Sequence, residues 1–403
     1  MPPGMSDTDE LVHSAQQHLY PNYRQPPLIM DHGQGCELWD KSGKRYLDLY
    51  AGIAVSSLGH AHPKLVQAIA EQAQKLLHTS NYFYNEPNVR LAEKLCAVSG
   101  MDRAFFCSSG AEANEAMLKL ARRHFHAQGQ TERYRVIAFK SSFHGRTLGA
   151  LAATGQDKYR DGFGPLPGVT HVAYGDAAAV RAAMGPDVAA ILVEPVQGEG
   201  GVVPAPDGFL AELRSIADER DALLLLDEVQ TGIGRTGRFL ACEHAGVRPD
   251  AVALAKALGG GVPIGSMLCS EKLSGALPPG SHGSTFGGNP LASAAGLCVL
   301  ETIESEGLVE AAARKGEHLA ASLADLAARH ERHVEASRGQ GLLQALALCE
   351  SVDARALLGK LRDAGVLLTI AGGHALRFSP PLVVTEAELD EGVAAVDRAL
   401  TQL

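Results

Sequence analysis

Lys256 is the residue whose surroundings point most directly to chemistry. It follows the apolar run 251–255 and is followed by Ala257, Leu258 and three glycines. Lysine is almost never fully buried without a partner. Either this lysine reaches water from the end of a strand, or it is a desolvated amine of lowered pKa that can bond covalently to an aldehyde.

Asp227 favours the second interpretation. It follows the apolar run 222–226, and the carboxyl ends of parallel strands share the edge of a sheet where ligands bind. Proteins hold pyridoxal phosphate with a carboxylate at the pyridine nitrogen and a lysine at the pyridine aldehyde. Taken alone, Asp227 could also cap a helix or begin a turn.

Two further segments could complete such a site. Ser109-Gly110-Ala111 follows the run 104–107 and could bind a phosphate through backbone N–H groups at a helix start. The segment also fits an ordinary capping box formed by Ser109 and Glu112, and both interpretations require a helix that begins here. Phe143, after the run 136–139, could cover a flat ring or be a core residue.

A glycine-rich segment suggests a different cofactor. Residues 232–237 match the dinucleotide fingerprint G-x-G-x-x-G, with Asp250 at a fitting distance. However, residues 227–231 separate these glycines from the preceding strand, whereas the fingerprint needs a tight strand–turn–helix. Asp250 also precedes a strand instead of ending one. We therefore reject nicotinamide binding.

Short apolar runs must position these side chains. Between residues 100 and 270 they alternate with helical stretches, which is typical of a mostly parallel sheet covered on both faces. The runs are 104–107, 136–139, 171–174, 189–193, 222–226, 251–255 and 264–269. Candidate strands outside this region are 36–39, 46–49, 342–347, 366–370 and 376–379. Thr385 and Glu388 predict a capping box before the last helix.

This pattern predicts an α/β fold with a large domain around a mostly parallel sheet and a smaller α+β domain built from both termini. We expect residues 1–70 to form an N-terminal arm and part of the small domain. Residues 71–300 would form the large, cofactor-binding domain, and residues 301–403 the C-terminal small domain.

Composition limits the classes of partner. The 403-residue chain is 46% hydrophobic and 20% charged, with a formal net charge of −10, which argues against general binding of nucleic acid or anionic membranes. The start, Met1-Pro2-Pro3-Gly4, lacks the basic and apolar regions of a signal peptide. The seven cysteines form no C-x-x-C pair, which favours free thiols. We expect a cytoplasmic protein with no metal site and no membrane span.

Eight blocks together resemble the class III, pyridoxal-phosphate-dependent aminotransferases of fold type I, and most of all the acetylornithine aminotransferases. The resemblance extends from Asn22 to the final helix. The blocks are residues 49–55, 58–63, 109–120, 143–147, 194–201, 227–237, 255–261 and 282–290.

The resemblance implies a role for each matching residue. Lys256 would carry pyridoxal 5'-phosphate covalently and move protons, Asp227 would keep the pyridine nitrogen protonated, and Glu199 would be the third catalytic residue. Thr285 would reach the phosphate of the neighbouring subunit, so the chain would be a homodimer with shared sites. The implied cofactor contacts are Ser109, Gly110, Ala111, Phe143, Asp227, Glu228, Val229, Gln230, Lys256 and Thr285.

Two arginines would let one pocket accept two unlike donors. Arg146 resembles the residue that binds the distal carboxylate of acetylornithine or glutamate. Arg377 resembles the residue that binds the α-carboxylate of glutamate, and Glu199 the residue that pairs with it when the donor has no carboxylate there. A planar guanidinium–carboxylate pair suits such a switch. Tyr23 and Ser284 complete the implied substrate contacts.

The implied reaction moves the side-chain amino group of N2-acetyl-L-ornithine to 2-oxoglutarate by a ping-pong mechanism. It gives N-acetylglutamate 5-semialdehyde and glutamate, a step of arginine biosynthesis. Ile53 stands where enzymes acting on free ornithine tend to have tyrosine, which favours an acylated substrate. Ser56 and Ser57 depart from the Asn-Ala usual in acetylornithine enzymes, which bears on the preferred acyl group.

Several alternatives remain. Within the family they are the transamination of succinylornithine, N-succinyl-diaminopimelate, ornithine or 4-aminobutyrate. A pyridoxal-phosphate aminomutase is disfavoured by the Glu199–Arg377 pair. A cofactor-binding protein without catalysis would be favoured by loss of Lys256 or Asp227, and both are present.

Overall fold

Seven strands form the central sheet of the computed structural model, which describes residues 7–403. In chain order they are Arg103–Cys107 (β1), Arg135–Phe139 (β2), Val169–Val172 (β3), Val188–Val193 (β4), Leu223–Asp227 (β5), Ala251–Leu254 (β6) and Gly265–Cys269 (β7). Their order across the sheet is β1-β7-β6-β5-β4-β2-β3. Each falls on one of the seven apolar runs identified in the sequence.

The sheet is mostly parallel, as predicted. β5 runs parallel to β4 and β6, and β2 runs parallel to β3 and β4, whereas β7 is antiparallel to both of its neighbours. Successive side chains of a strand point to opposite faces. Accordingly Leu224 and Leu226 belong to one buried cluster and Leu223 and Leu225 to another. Both faces of the sheet are therefore covered, which explains the unbroken apolar runs.

Helices cover the sheet and build the remaining layers. Two of the long helices begin where the sequence supplies a cap: Ser109 accepts a hydrogen bond from the N–H of Glu112, and the predicted capping box of Thr385 and Glu388 is present. The helices are Asp7–His18, Ala51–Ala54, Pro63–Lys75, Glu86–Ser99, Gly110–Ala127, Leu148–Ala153, Asp157–Arg160, Ala177–Ala183, Phe209–Glu219, Pro290–Ser305, Leu308–Arg329, Ala354–Asp363 and Glu386–Thr401.

Two four-stranded sheets lie beside the central one. One contains Met30–Gln34, Glu37–Asp40, Arg45–Asp48 and Val366–Leu367, and the other contains Val334–Gln340, Leu343–Leu348, Ala375–Phe378 and Thr369–Ala371. The single strand predicted over residues 366–370 is therefore wrong. Val366 and Leu367 pair in parallel with Leu47 and Asp48, and after the buried Leu368 the chain joins the other sheet.

N-terminal and C-terminal segments thus share one sheet, through the pairing of Leu47 with Val366. The division into domains remains a prediction, and its boundary at residue 300 would fall inside helix Pro290–Ser305. Residues 1–6 of the predicted N-terminal arm lie outside the described residues, together with the Met1–Gly4 start. Between residues 7 and 403, the helices are all too short or too polar to cross a membrane.

All seven cysteines are free thiols in the structure. Burial raises the pKa of Cys107 to about 12 and that of Cys269 to about 11. These thiols are therefore protonated at neutral pH, and a buried thiol of this kind is chemically inert.

Candidate active site

A cavity of about 450 Å³ opens at the carboxyl ends of the parallel strands. Its walls come from segments that follow β1, β2, β4, β5 and β6, as expected for an open parallel sheet. Ten of the predicted site residues line it: Ser109, Gly110, Ala111, Phe143, Arg146, Glu199, Asp227, Val229, Gln230 and Lys256.

Lys256 carries a desolvated amine into this cavity. Burial is the largest influence and lowers the pKa of this amine, and the nearby charge of Arg377 acts in the same direction. Within the described part of the chain, Lys256 Nζ forms no hydrogen bond or ion pair. The backbone at Lys256 has φ 43°, a strained conformation of the kind that clusters at functional sites. Lowering the pKa of a lysine amine makes its nucleophilic and basic form easier to reach.

Asp227, the last residue of β5, is held by three donors. Asn114 Nδ2 and His144 Nδ1 each lie 2.7 Å from Asp227 Oδ2, and the N–H of Val229 donates to Oδ1 at 3.0 Å. Hydrogen bonds to a carboxylate favour its charged form. The contacts of His144 and Asn114 with Asp227 were missed in the sequence, although both residues lie in the segments that follow β1 and β2. In the sequence, these two residues were marked only weakly, as polar side chains in segments that follow a strand.

Glu194 is a second buried carboxyl group in the cavity, also missed in the sequence. Burial raises the pKa of Glu194 well above its usual value, and the neighbouring Asp227 raises it further. The N–H of Phe143 donates to Glu194 Oε2 at 3.1 Å. Glu194 also anchors the backbone of Phe143 through this bond.

Helix Gly110–Ala127 points its N-terminus at the cavity. The N–H groups of Gly110 and Ala111 belong to the first turn, which has no intrahelical acceptors, and the helix dipole favours an anion there. A side chain at position 110 would lie 2.7 Å from Val229 Cγ1, so glycine lets the backbone approach. The cap formed by Ser109 and Glu112 is present as well. Both interpretations of this segment therefore fit.

Arg377 reaches the cavity through Glu199. Arg377 is 2% exposed, and its Nη1 donates to Glu199 Oε1 and, at 3.2 Å, to Gln230 Oε1. Its Nε donates to Thr369 Oγ1 at 3.1 Å. Burial is the largest influence and by itself would raise the pKa of Glu199, but the charges of Arg377 and Lys256 and the hydrogen bonds from Arg377 and Gln230 together outweigh it, so the pKa of Glu199 is lowered. The pair is therefore ionised and mutually neutralised.

Besides Arg377, four predicted site residues do not line this cavity. Tyr23 is 74% exposed and Thr285 is also exposed. Ser284 lines a separate cavity of about 330 Å³, and its Oγ accepts the N–H of Gly287 at 3.0 Å. The assignment of Glu228 to the cofactor is corrected by its position. Its buried carboxylate accepts hydrogen bonds from Thr231 Oγ1 and from the N–H groups of residues 241 and 242.

Part of the cavity wall is a left-handed turn. Ala51, Gly52, Ile53 and Ala54 all have φ between 49° and 68°, and Val55 at its end lines the cavity. The buried carboxylate of residue 48 accepts the N–H groups of residues 50 and 51 and holds the turn in place. Ile53 itself is 40% exposed.

This set of groups fits pyridoxal phosphate. Lys256 offers an unpaired, desolvated amine for the aldehyde, and Asp227 offers a carboxyl group held by three hydrogen bonds for the ring nitrogen. The first-turn N–H groups of Gly110 and Ala111 suit the phosphate, and Phe143 supplies an aromatic surface for the ring. The glycines at 232–237 follow no strand directly and open no helix, so the rejection of a dinucleotide fold there stands.

Comparisons with known proteins agree with this geometry. The family model for class-III aminotransferases matches residues 19–400. An acetylornithine aminotransferase from Myxococcus xanthus is 51% identical over 96% of each chain. The ornithine aminotransferase of Toxoplasma gondii ME49 superposes with a TM-score of 0.95, at 33% identity, over 99% of this chain and 96% of its own. The N-acetylornithine aminotransferase of Stenotrophomonas maltophilia K279a gives 0.83 at 38% identity, over 96% and 98%.

Proposed function

The chain belongs to the class-III aminotransferases, and from this premise we propose that it moves the side-chain amino group of N2-acetyl-L-ornithine to 2-oxoglutarate. It is a pyridoxal-phosphate-dependent enzyme. The products would be N-acetylglutamate 5-semialdehyde and glutamate, a step of arginine biosynthesis, and the two half-reactions would alternate in one cavity.

The observation that carries this proposal is the Arg377–Glu199 pair beside Lys256. An arginine that binds the α-carboxylate of glutamate needs a counter-ion when the other donor presents an amine with no carboxylate at that end. Glu199 supplies that counter-ion from within the site. A bidentate carboxylate can then displace Glu199 from the guanidinium, which suits two-substrate recognition.

When bound, pyridoxal phosphate withdraws electron density from the carbon that bears the transferred amino group. Lys256 would hold it covalently at rest, and its freed amine would then carry the proton lost from that carbon to the former aldehyde carbon of the cofactor. Asp227, with His144 and Asn114 behind it, would keep a proton on the ring nitrogen. Phe143 and Val229 would hold the ring and exclude water.

The remaining cavity residues bind and orient. The N–H groups of Gly110 and Ala111 would bind the phosphate, and Gln230 would contact the ring hydroxyl. Gln230 Oε1 already accepts from Arg377 at 3.2 Å, so the ring site and the α-carboxylate site share this side chain. Arg146, exposed at the cavity wall, binds the distal carboxylate.

We propose acetylornithine as the amino donor, ahead of the other candidate donors, for two reasons. Ile53 replaces the tyrosine expected of enzymes that act on free ornithine, and the curated relatives named here as acetylornithine aminotransferase are closer in sequence than the ornithine enzyme. The close superposition with an ornithine aminotransferase shows the shared fold. It does not distinguish the two substrates, because the same fold serves both acetylornithine and ornithine aminotransferases.

A panel of amino donors tests the proposal. With 2-oxoglutarate as acceptor, kcat/KM should be highest for N-acetylornithine, above succinylornithine, N-succinyl-diaminopimelate, ornithine and 4-aminobutyrate. An Ile53→Tyr variant should shift the ranking toward ornithine. A wild-type preference for ornithine or 4-aminobutyrate would contradict the proposed substrate, and no glutamate formed from any donor would contradict transamination.

We also propose a homodimer with shared active sites. Thr285 and Ser284 lie outside the cavity of their own chain, on a loop that ends in the exposed Phe286 (64%). Exposed aromatic residues at 82–84 add to this surface, because Asn81 Nδ2 donates to the carbonyl of Ser284 at 2.8 Å. Such a contiguous apolar surface is typical of a protein interface. Free, buried thiols support a cytoplasmic location, where thiols stay reduced.

Mixed dimers test the sharing. A Lys256→Ala chain and a Thr285→Ala chain are mixed under conditions in which each homodimer is inactive. Each mixed dimer then has one site free of both changes, so random pairing restores about a quarter of wild-type activity. No recovery, with exchange of subunits verified by differently tagged chains, would argue that Thr285 serves only its own chain.

A further inference from the structure

Tyr159 is a residue outside the cavity that lies directly against the substrate-binding arginine. The guanidinium carbon of Arg146 lies 4.0 Å from the centre of the Tyr159 ring. The same guanidinium lies 5.5 Å from the centre of the Phe143 ring, and the two rings meet edge-on at 5.8 Å and 82°. Arg146, Phe143 and Tyr159 thus form one cluster, which we call the Arg146 cluster.

The Arg146 cluster leaves the N–H edge of the arginine free. Arg146 is exposed, and within residues 7–403 its guanidinium has aromatic neighbours but neither a carboxylate partner nor a hydrogen-bond acceptor. A guanidinium over an aromatic face is held by a cation–π contact, while its donors stay in its plane. Bidentate binding of a carboxylate uses those donors, so the ring orients Arg146 without competing with the substrate.

The segment that carries Tyr159 is itself anchored. Tyr159 lies in the short helix Asp157–Arg160. Arg160 Nη1 donates to His171 Nδ1 at 3.1 Å, and His171 Nε2 donates to the carbonyl of Ala153 at 3.1 Å. These bonds tie the helix to β3 and to the segment that follows Arg146. The Tyr159 ring is therefore a fixed support.

We propose that Tyr159 is a positioning residue that sets the preference of this enzyme for substrates with a distal carboxylate, acting through Arg146. Tyr159 does not line the cavity, whereas Arg146 and Phe143 do. Tyr159 also contacts Phe143. One aromatic ring therefore packs against both the residue proposed to cover the cofactor ring and the arginine proposed to bind the distal carboxylate. This inference rests on the proposed function, because Arg146 must serve a carboxylate for Tyr159 to matter.

Matched substrate pairs isolate this role in the holoenzyme. N-acetylputrescine is N-acetylornithine without its carboxylate, and norvaline is glutamate with a methyl group in place of its distal carboxylate. In Tyr159→Leu, the preference for the carboxylate-bearing member, measured as a ratio of kcat/KM, should fall about 3- to 30-fold in both pairs, which is the range of a cation–π contact. Most of the fall should be a rise in KM. Tyr159→Phe keeps the ring and should keep the preference.

Two further variants exclude indirect effects. Lys158→Met removes the other cation over the same ring, 4.8 Å from its centre, and should leave both preferences unchanged. In an Arg146→Ala background, Tyr159→Leu should have almost no further effect, because the residue through which it acts is gone. Titration calorimetry with glutarate, without turnover, should show the same weakening in Tyr159→Leu and not in Tyr159→Phe.

The outcomes separate this inference from the proposed substrate. If Tyr159→Leu lowered kcat/KM equally for both members of each pair, the positioning role would be overturned. The same holds if Tyr159→Leu had an undiminished effect in the Arg146→Ala background. A wild type that ignores N-acetylornithine but prefers glutamate to norvaline would contradict the proposed donor, while the glutamate pair still decides the role of Tyr159. No wild-type preference in either pair would overturn the inference, since Arg146 would then bind no carboxylate.

Discussion

Replacing Lys256 by alanine should reduce kcat for the overall reaction by about 10⁴-fold or more, because a positioned proton-transfer group alone contributes 10²–10⁴-fold and this residue also holds the cofactor. The expectation follows from its setting: burial lowers the pKa of the amine, and the side chain lies in the cavity with Asp227. Among residues 7–403, no other lysine lines that cavity. Steady-state kinetics with N-acetylornithine and 2-oxoglutarate measure the loss.

Lys140 offers a matched control. It also follows a strand of the central sheet, β2, but it is exposed, and its hydrogen bonds to Val172 and Gln197 are made by its backbone. Lys140→Ala should therefore keep near wild-type activity. A folded Lys256→Ala enzyme that retained a tenth or more of wild-type kcat would contradict the assignment.

The second large effect concerns the two-substrate switch. In Glu199→Ala, Arg377 keeps its bonds to Gln230 and Thr369 but loses its counter-ion. Leaving a partly buried charge unpaired costs about 1–3 kcal/mol, roughly a 5- to 150-fold change in relative preference. The acetylornithine half-reaction should slow by that factor, whereas glutamate, which brings its own carboxylate to Arg377, should bind at least as well as before. Arg377→Ala should harm the glutamate half-reaction far more.

Single-turnover kinetics, followed by the cofactor absorbance, separate the two half-reactions. Glu199→Gln is the isosteric control: it keeps a hydrogen-bond acceptor for Arg377 but lacks the charge, so its loss should resemble that of Glu199→Ala if charge is what matters. Equal slowing of both half-reactions by Glu199→Ala would show that Glu199 supports the structure and does not act as a switch.

The switch also has a pH dependence of defined sign. The pKa of Glu199 is lowered in the folded enzyme by Arg377, so the pair persists from high pH down to below the usual titration range of a glutamate. Its contribution is lost as the pH falls through that lowered pKa. At neutral pH the pair is therefore present in full.

The hydrophobic pattern of the sequence and the residues at strand ends were enough to predict the central sheet and several of the residues that line the cavity. Apolar runs of strand length identified all seven strands of the central sheet, and the polar residues that follow them, such as Lys256 and Asp227, do line one cavity. The reason is general: the carboxyl ends of parallel strands lie at the same edge of a sheet, so the residues that follow the buried runs are brought together at that edge. Where a run covered two short strands in different sheets, as over residues 366–370, periodicity could not separate them.

Residues that act through other residues were harder to find. Glu228 shares its motif with Asp227 and Gln230, but successive residues point in different directions, and its carboxylate binds residues 241 and 242 instead. His144 supports Asp227 across the sheet edge and Tyr159 supports Arg146 from a neighbouring helix. Such contacts depend on tertiary packing, which one sequence does not reveal.

Reduction of the purified holoenzyme with borohydride, followed by peptide mass mapping, tests most directly whether the buried amine of Lys256 holds the cofactor. Borohydride converts the carbon–nitrogen double bond between pyridoxal phosphate and a lysine into a stable single bond. We expect one labelled peptide per chain, with the added mass on Lys256, and no label in Lys256→Ala. A label on another lysine, or none in a yellow, active enzyme, would contradict the assignment of this cavity as the active site.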